Sequence, residues 1–76
     1  MAEYRIWGRI ERRPDGFRAV ASALPDGPGA GPRAEDVRAH HEPSLSSCRV
    51  MLGRLVYDLS AALMKRGDQV VWLDVR

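Results

Sequence analysis

The 76-residue chain has one cysteine, one lysine and no long hydrophobic run. Cys48 alone forms no internal disulfide, which fits a reducing compartment. No stretch approaches the roughly 18 to 20 consecutive apolar residues that a membrane-spanning helix needs. Met1-Ala2-Glu3-Tyr4-Arg5 lacks the basic segment and apolar run of an export signal, so the expectation is a cytoplasmic protein without a membrane partner. Acidic residues are scarcely outnumbered: 12 basic against 10 acidic gives +2, too little to argue for nucleic acid from net charge. Lys65 is the lone lysine beside eleven arginines, a compositional bias more than a site. Charged residues at 29% and hydrophobic ones at 45% exclude a wholly disordered chain and predict one folded domain over residues 1–76.

Period two is present from the start. Tyr4, Ile6, Gly8 and Ile10 fall on one parity and Arg5, Trp7, Arg9 and Glu11 on the other, the pattern of a half-buried strand. Arg13-Pro14-Asp15-Gly16-Phe17 then reads as a hairpin turn, with Pro14, Asp15 and Gly16 as a three-residue loop. That loop length pairs Ile10 with Val20, Gly8 with Ser22 and Ile6 with Leu24. It sends Phe17, Ala19, Ala21 and Ala23 to the face of Arg5, Trp7, Arg9 and Glu11, with Trp7 across from Ala23.

Residues 25–36 hold a proline and glycine run that supports neither ladder nor helix and is expected to be a flexible loop. Weak alternation over Asp36 to Glu42 predicts a short third strand. The alternating charges of Glu35, Asp36, Arg38 and Glu42 read as a solvated edge that blunts strand addition. From Leu45 to Arg66 the period becomes helical, with Leu45, Cys48, Leu52, Leu55, Val56, Leu59, Ala62 and Leu63 on one stripe. Pro43 and the serines at 44, 46 and 47 mark its start, and Lys65-Arg66-Gly67 its end. Gly53 inside it costs about 1 kcal/mol relative to alanine, which a close approach of helix and sheet would explain. Gln69 to Arg76 alternates again, with Val70, Trp72 and Asp74 on one parity and Val71, Leu73 and Val75 on the other. The order is β-β-β-α-β: an α+β fold of two layers, with a hairpin, a short third strand, one long amphipathic helix and a closing strand.

One helix covers one face of such a sheet. The other face would carry Trp7, Arg5, Arg9 and Trp72, with Arg76 beside them, and two tryptophans left in water forgo roughly 2 to 3 kcal/mol of burial each. Aromatic rings among arginines are the composition of protein interface hot spots. These residues are therefore the candidate interface, for a second copy stacking face to face or pairing edge to edge, or for another protein. Single-stranded nucleic acid, its bases stacked on the rings, is the alternative occupant. Burial of one tryptophan under the proline and glycine loop would remove the need for either.

Chemistry is sparse. His40-His41-Glu42 with Cys48 has metal-ligand residue types, but adjacent strand residues point to opposite faces and no second cysteine or spaced histidine completes a site. Cys48, a histidine and Asp58 can be drawn as a triad, yet Cys48 lies on the apolar helix stripe where a thiol packs. Gly27, Gly29 and Gly31 are followed by none of the residues of a phosphate loop, and the intervening prolines remove donors. The expectation is a protein that is not an enzyme and that holds no cofactor or metal.

The Asp15-Gly16-Phe17 turn, the alternation into Leu24-Pro25-Asp26-Gly27-Pro28-Gly29, the later amphipathic helix and the closing strand together resemble the N-terminal domain of HicB-type antitoxins. The resemblance implies a hairpin, a third strand, a helix and a last strand in a non-catalytic domain that acts by contact, binding and blocking a small RNA-cleaving toxin.

Overall fold

A computed structural model describes residues 2–26 and 36–75, without the side chains of Trp72 and Val75. The greater part of the expected flexible loop, residues 27–35, lies outside the described residues, as do Arg76 and its place on the open face. Five elements follow one another: β1 (Glu3–Arg13), β2 (Gly16–Pro25), β3 (Val37–Glu42), α1 (Leu45–Lys65) and β4 (Gln69–Val75). The strands form one mixed sheet in the order β3-β2-β1-β4, in which β1 runs antiparallel to β2 and parallel to β4, and β2 antiparallel to β3. The fold is α+β, with the helix on one face of the sheet.

The hairpin is one residue tighter than the turn residues suggest. Arg13 pairs with Gly16, so Pro14 and Asp15 alone make the loop, and Ile10 faces Ala19, Gly8 faces Ala21 and Ile6 faces Ala23. A slip of one residue moves every side chain of a strand to the opposite face. Ala19, Ala21 and Ala23 are therefore fully buried beneath the helix, whereas Val20, Ser22 and Leu24 share the other face with Trp7, which sits opposite Ser22 and not Ala23. The reason is steric: a row of methyl groups beside Gly8 lets α1 settle on the centre of the sheet, where Val20 and Leu24 would hold the layers apart.

The core is completed by Tyr4 and Ile6 of β1 and by Cys48, Leu52, Val56, Leu59 and Leu63 of α1, with Ile10, Phe17, Leu55 and Val70 packed against it. Two members of the expected helix stripe stay outside it: Leu45 is 39% exposed at the helix start, and Ala62 is exposed. Ser44 caps α1, its hydroxyl accepting the Ser47 N–H at 3.2 Å. At the other end Gly67 adopts φ +87°, the Gly67 N–H bonds Met64 O and the Asp68 N–H bonds Leu63 O, a Schellman closure that starts β4.

In β4 the register jumps: Tyr4 pairs with Val70 but Arg5 with Trp72, so Val71 is an extra residue. The bulge brings Val70 to the core, contrary to its expected place on the open face with Trp72, and sets Trp72 opposite Arg5 and Asp74 opposite Trp7. Leu73, paired with Ile6, remains 53% exposed because the helix lies mainly over β2 and covers little of this edge strand beyond Val70.

The two glycines that flank these decisions have opposite meanings. Gly16 has φ +145°, and a Cβ there would meet Glu42 O at 2.6 Å, so the hairpin tip is pressed on the end of β3. Gly53 is exposed and a Cβ there would meet nothing within 4 Å, so no close approach to the sheet accounts for it. Gly16→Ala should lower the unfolding free energy in urea by about 2 kcal/mol or more. Gly53→Ala should raise it by up to about 1 kcal/mol, measured the same way.

Candidate interaction surface

The face of the sheet away from α1 is built by register. Arg5, Trp7, Arg9, Glu11 and Arg13 come from β1, Arg18, Val20, Ser22 and Leu24 from β2, and Val37, Ala39 and His41 from β3 opposite Ser22, Val20 and Arg18. Trp7 is 37% exposed and edges a shallow hollow lined by Gly8, Arg9, Val20, Ser22 and Leu24. Val20 is 9% exposed although no helix covers it, because its neighbours on this face close around it. Apolar surface in the middle and arginines around it give the face the arrangement of an interface core with its rim.

Its arginines carry acidic partners. Glu11 is the hub, with Arg13 at 2.9 Å, Arg9 at 3.2 Å and Arg18 at 3.7 Å. Desolvation pushes the Glu11 carboxyl up, but the Arg13 hydrogen bond and the charges of Arg13, Arg9 and Arg18 outweigh it and hold the group below its usual range. Arg5 lies 3.5 Å from Asp26, its Nε shielded from solvent and without a hydrogen bond. Of the four expected interface residues, Arg5, Trp7 and Arg9 are thus together on the open face. Trp72 is at the adjoining register position opposite Arg5, with its side chain outside the described residues.

A second cluster was not legible in the pattern. Asp36, expected on a solvated edge, is 2% exposed and precedes β3; the Arg66 guanidinium holds it with two bonds, at 3.0 and 3.2 Å. Arg66 Nε also donates to Asp68 at 2.7 Å, the guanidinium lies 5.2 Å over the Tyr4 ring, and the Ala2 N–H donates to Asp68 at 3.2 Å. The hydrogen bonds to Asp36 and Asp68 strengthen the Arg66 proton's hold, and those from Arg66 and Ala2 keep the Asp68 carboxyl below its ordinary range. Asp36 and Arg66 lie 30 residues apart, a separation at which no helical or strand spacing connects them.

The residues weighed for chemistry are dispersed. His40 bonds Glu42 at 2.8 Å on the helix side of β3, while His41 lies 3.4 Å from Asp15 on the other. Cys48 is fully buried, and burial, followed by the charge of Glu42, pushes its thiol up; Asp58 is exposed on the outside of α1. Among the described residues no three His, Cys, Asp or Glu side chains group as a metal site requires, and no helix is long and apolar enough to cross a membrane. Comparison with known proteins finds no matching family model, no similar curated protein and no similar solved structure.

Two measurements check the cluster. Asp36→Asn, which leaves Arg66 with half its partners, should cost about 1 to 3 kcal/mol in urea unfolding, the figure for a buried pair reduced because Arg66 is partly exposed. Asp68 and Glu11 have folded-state carboxyls shifted below 3.8 and 4.5, so each stabilises fully above those values and loses that contribution as pH falls through its folded value. The urea midpoint should therefore drop between pH 5 and about pH 3, and drop less in Asp68→Asn.

Proposed function

We propose that the protein is a non-enzymatic interaction domain that self-associates and engages a protein surface through the open face of its sheet. The observation that carries this reading is Trp7, held at the margin of an apolar hollow on the face that the single helix cannot cover. Covering a ring of this size contributes on the order of 1 to 3 kcal/mol, enough for one anchor of a hot spot. The ion pairs favour a protein over single-stranded nucleic acid. Glu11 and Asp26 already engage Arg5, Arg9, Arg13 and Arg18, and a polyphosphate backbone would have to displace those carboxylates and face their repulsion. A small toxin of the kind that the HicB-type resemblance implies is one partner of suitable chemistry, since blocking by contact needs a surface and no catalytic group.

Trp7→Ala tests the reading, and because the ring is partly exposed and off the core the variant should keep its far-ultraviolet circular dichroism. Where a second copy covers the face, sedimentation shifts from dimer to monomer; where another protein does, mass is unchanged and nuclease-resistant capture of that protein from cell extract is lost. Salt-sensitive binding of a labelled single-stranded oligonucleotide that Trp7→Ala abolishes would replace this reading with the nucleic-acid one. Unchanged mass and unchanged capture would end it.

A further inference from the structure

The helix has a second apolar row, on the side opposite the core. Val50, Tyr57 and Met64 are 76%, 72% and 68% exposed and recur every seven residues, which returns to within about 20° of the same direction on a helix. Gly53 and Ala61 fill the row between them and Ser46 begins it, all exposed, so from Ser46 to Met64 it carries no charge over ~27 Å of helix. The charges stand on its flanks, Arg49 on one side and Arg54, Asp58 and Lys65 on the other. A helix facing water alone carries its charges in the middle of the outer face and has no use for Gly53 there.

The row is also its own complement. Lay a second α1 antiparallel on the first with the two-fold axis at Tyr57. Tyr57 then meets Tyr57 of the second copy, Val50 meets Met64, and Gly53 meets Ala61, so from Val50 to Met64 large residues face large ones and small residues small ones. The small pairs leave recesses on either side of the central Tyr57 pair, and the shallow groove between Tyr57, Ala61 and Met64 is open to receive Val50 of the second copy. The flank completes the match: across the same axis Arg54 of each copy meets Asp58 of the other, twice. Neither residue has an ion-pair partner among the described residues of its own chain.

We infer that the outer row of α1 is the homodimer interface, an isologous antiparallel helix pair centred on Tyr57. A different partner would not require a row that reads the same from both ends, and an anionic lipid surface would be opposed by Asp58. The inference shares with the proposed function only the expectation of self-association. It uses a different surface, and it leaves the two open sheet faces pointing outward on opposite sides of the dimer.

Sedimentation equilibrium of the full chain tests it. The wild type should be dimeric, and Tyr57→Lys should raise the dimer dissociation constant by about 30-fold or more with unchanged far-ultraviolet circular dichroism, since Tyr57 is 72% exposed and lies outside the core cluster. Arg54→Asp and Asp58→Arg should each weaken the dimer about tenfold, and the double variant Arg54→Asp, Asp58→Arg should recover most of the loss. Trp7→Ala should leave the dimer intact. A wild type still monomeric at ~1 mM, a dimer indifferent to Tyr57→Lys, or a charge reversal without recovery would overturn the inference. Dissociation by Trp7→Ala instead would move self-association to the sheet and uphold the open-face reading alone.

Discussion

The row Ala19, Ala21 and Ala23 determines how the two layers meet. All three are fully buried, and with Gly8 opposite Ala21 they give α1 a shallow bed into which Leu52, Val56, Leu59 and Leu63 descend. Dispersion between close-packed atoms falls steeply with a gap of even 0.5 to 1 Å, so the smallest side chains belong where the helix comes nearest. Everything on the far side of the sheet follows. With the alanines inward, Val20, Ser22 and Leu24 must point outward and join Trp7, and the apolar centre of the open face is the complement of the bed beneath the helix.

A packed centre does not by itself hold the ends of a chain this short, and one end of the domain is tied by polar groups. Ala2, Glu3, Asp26, Asp36, Arg66, Asp68 and Gln69 converge there. The Asp26 N–H bonds Glu3 O at 2.7 Å, the Gln69 N–H bonds Ala2 O at 2.9 Å, and Arg66 links the start of β3 to the helix end and to Asp68. Both anchors of the long connection between β2 and β3 lie in this cluster, Asp26 beside Arg5 and Asp36 beneath Arg66. Closing a loop of that length carries an entropic cost that grows only slowly with its residues.

The order of elements and their bounds were legible because each rests on local chemistry: period two for the strands, a stripe at three and four for α1, the Ser44 start and the Gly67 stop. Register was not. Pro14-Asp15-Gly16 is compatible with loops of two or three residues; the three-residue reading of those turn residues puts Val20 and Leu24 inside, whereas the two-residue loop puts the alanines there, because depth of contact and not hydrophobicity decides. The bulge at Val71 leaves no mark in an alternating run, and the Asp36–Arg66 pair joins residues with no periodic relation. Of the candidate interface, Arg5, Trp7 and Arg9 share a face under either register, since β1 alone sets their parity. The outer row of α1 was written in the spacing of Val50, Tyr57 and Met64, but one helix has room for two stripes and the inward one is the more conspicuous.

Both bare surfaces trace to the same shortage. With one helix and four strands the chain makes two layers, and each layer has an outer side that no other part of the described structure covers. The two sides are dressed differently. On the sheet, every arginine at the rim of the Trp7 hollow is drawn to Glu11 or Asp26, which blunts long-range attraction and leaves shape and apolar contact to select a partner. On the helix, charge is cleared from the crest and arranged so that a copy of the same surface is its best match. Under the inferred helix pairing, self-association would add buried area without hiding the hollow, and the two outward faces would offer a bivalent target an effective concentration that one face lacks.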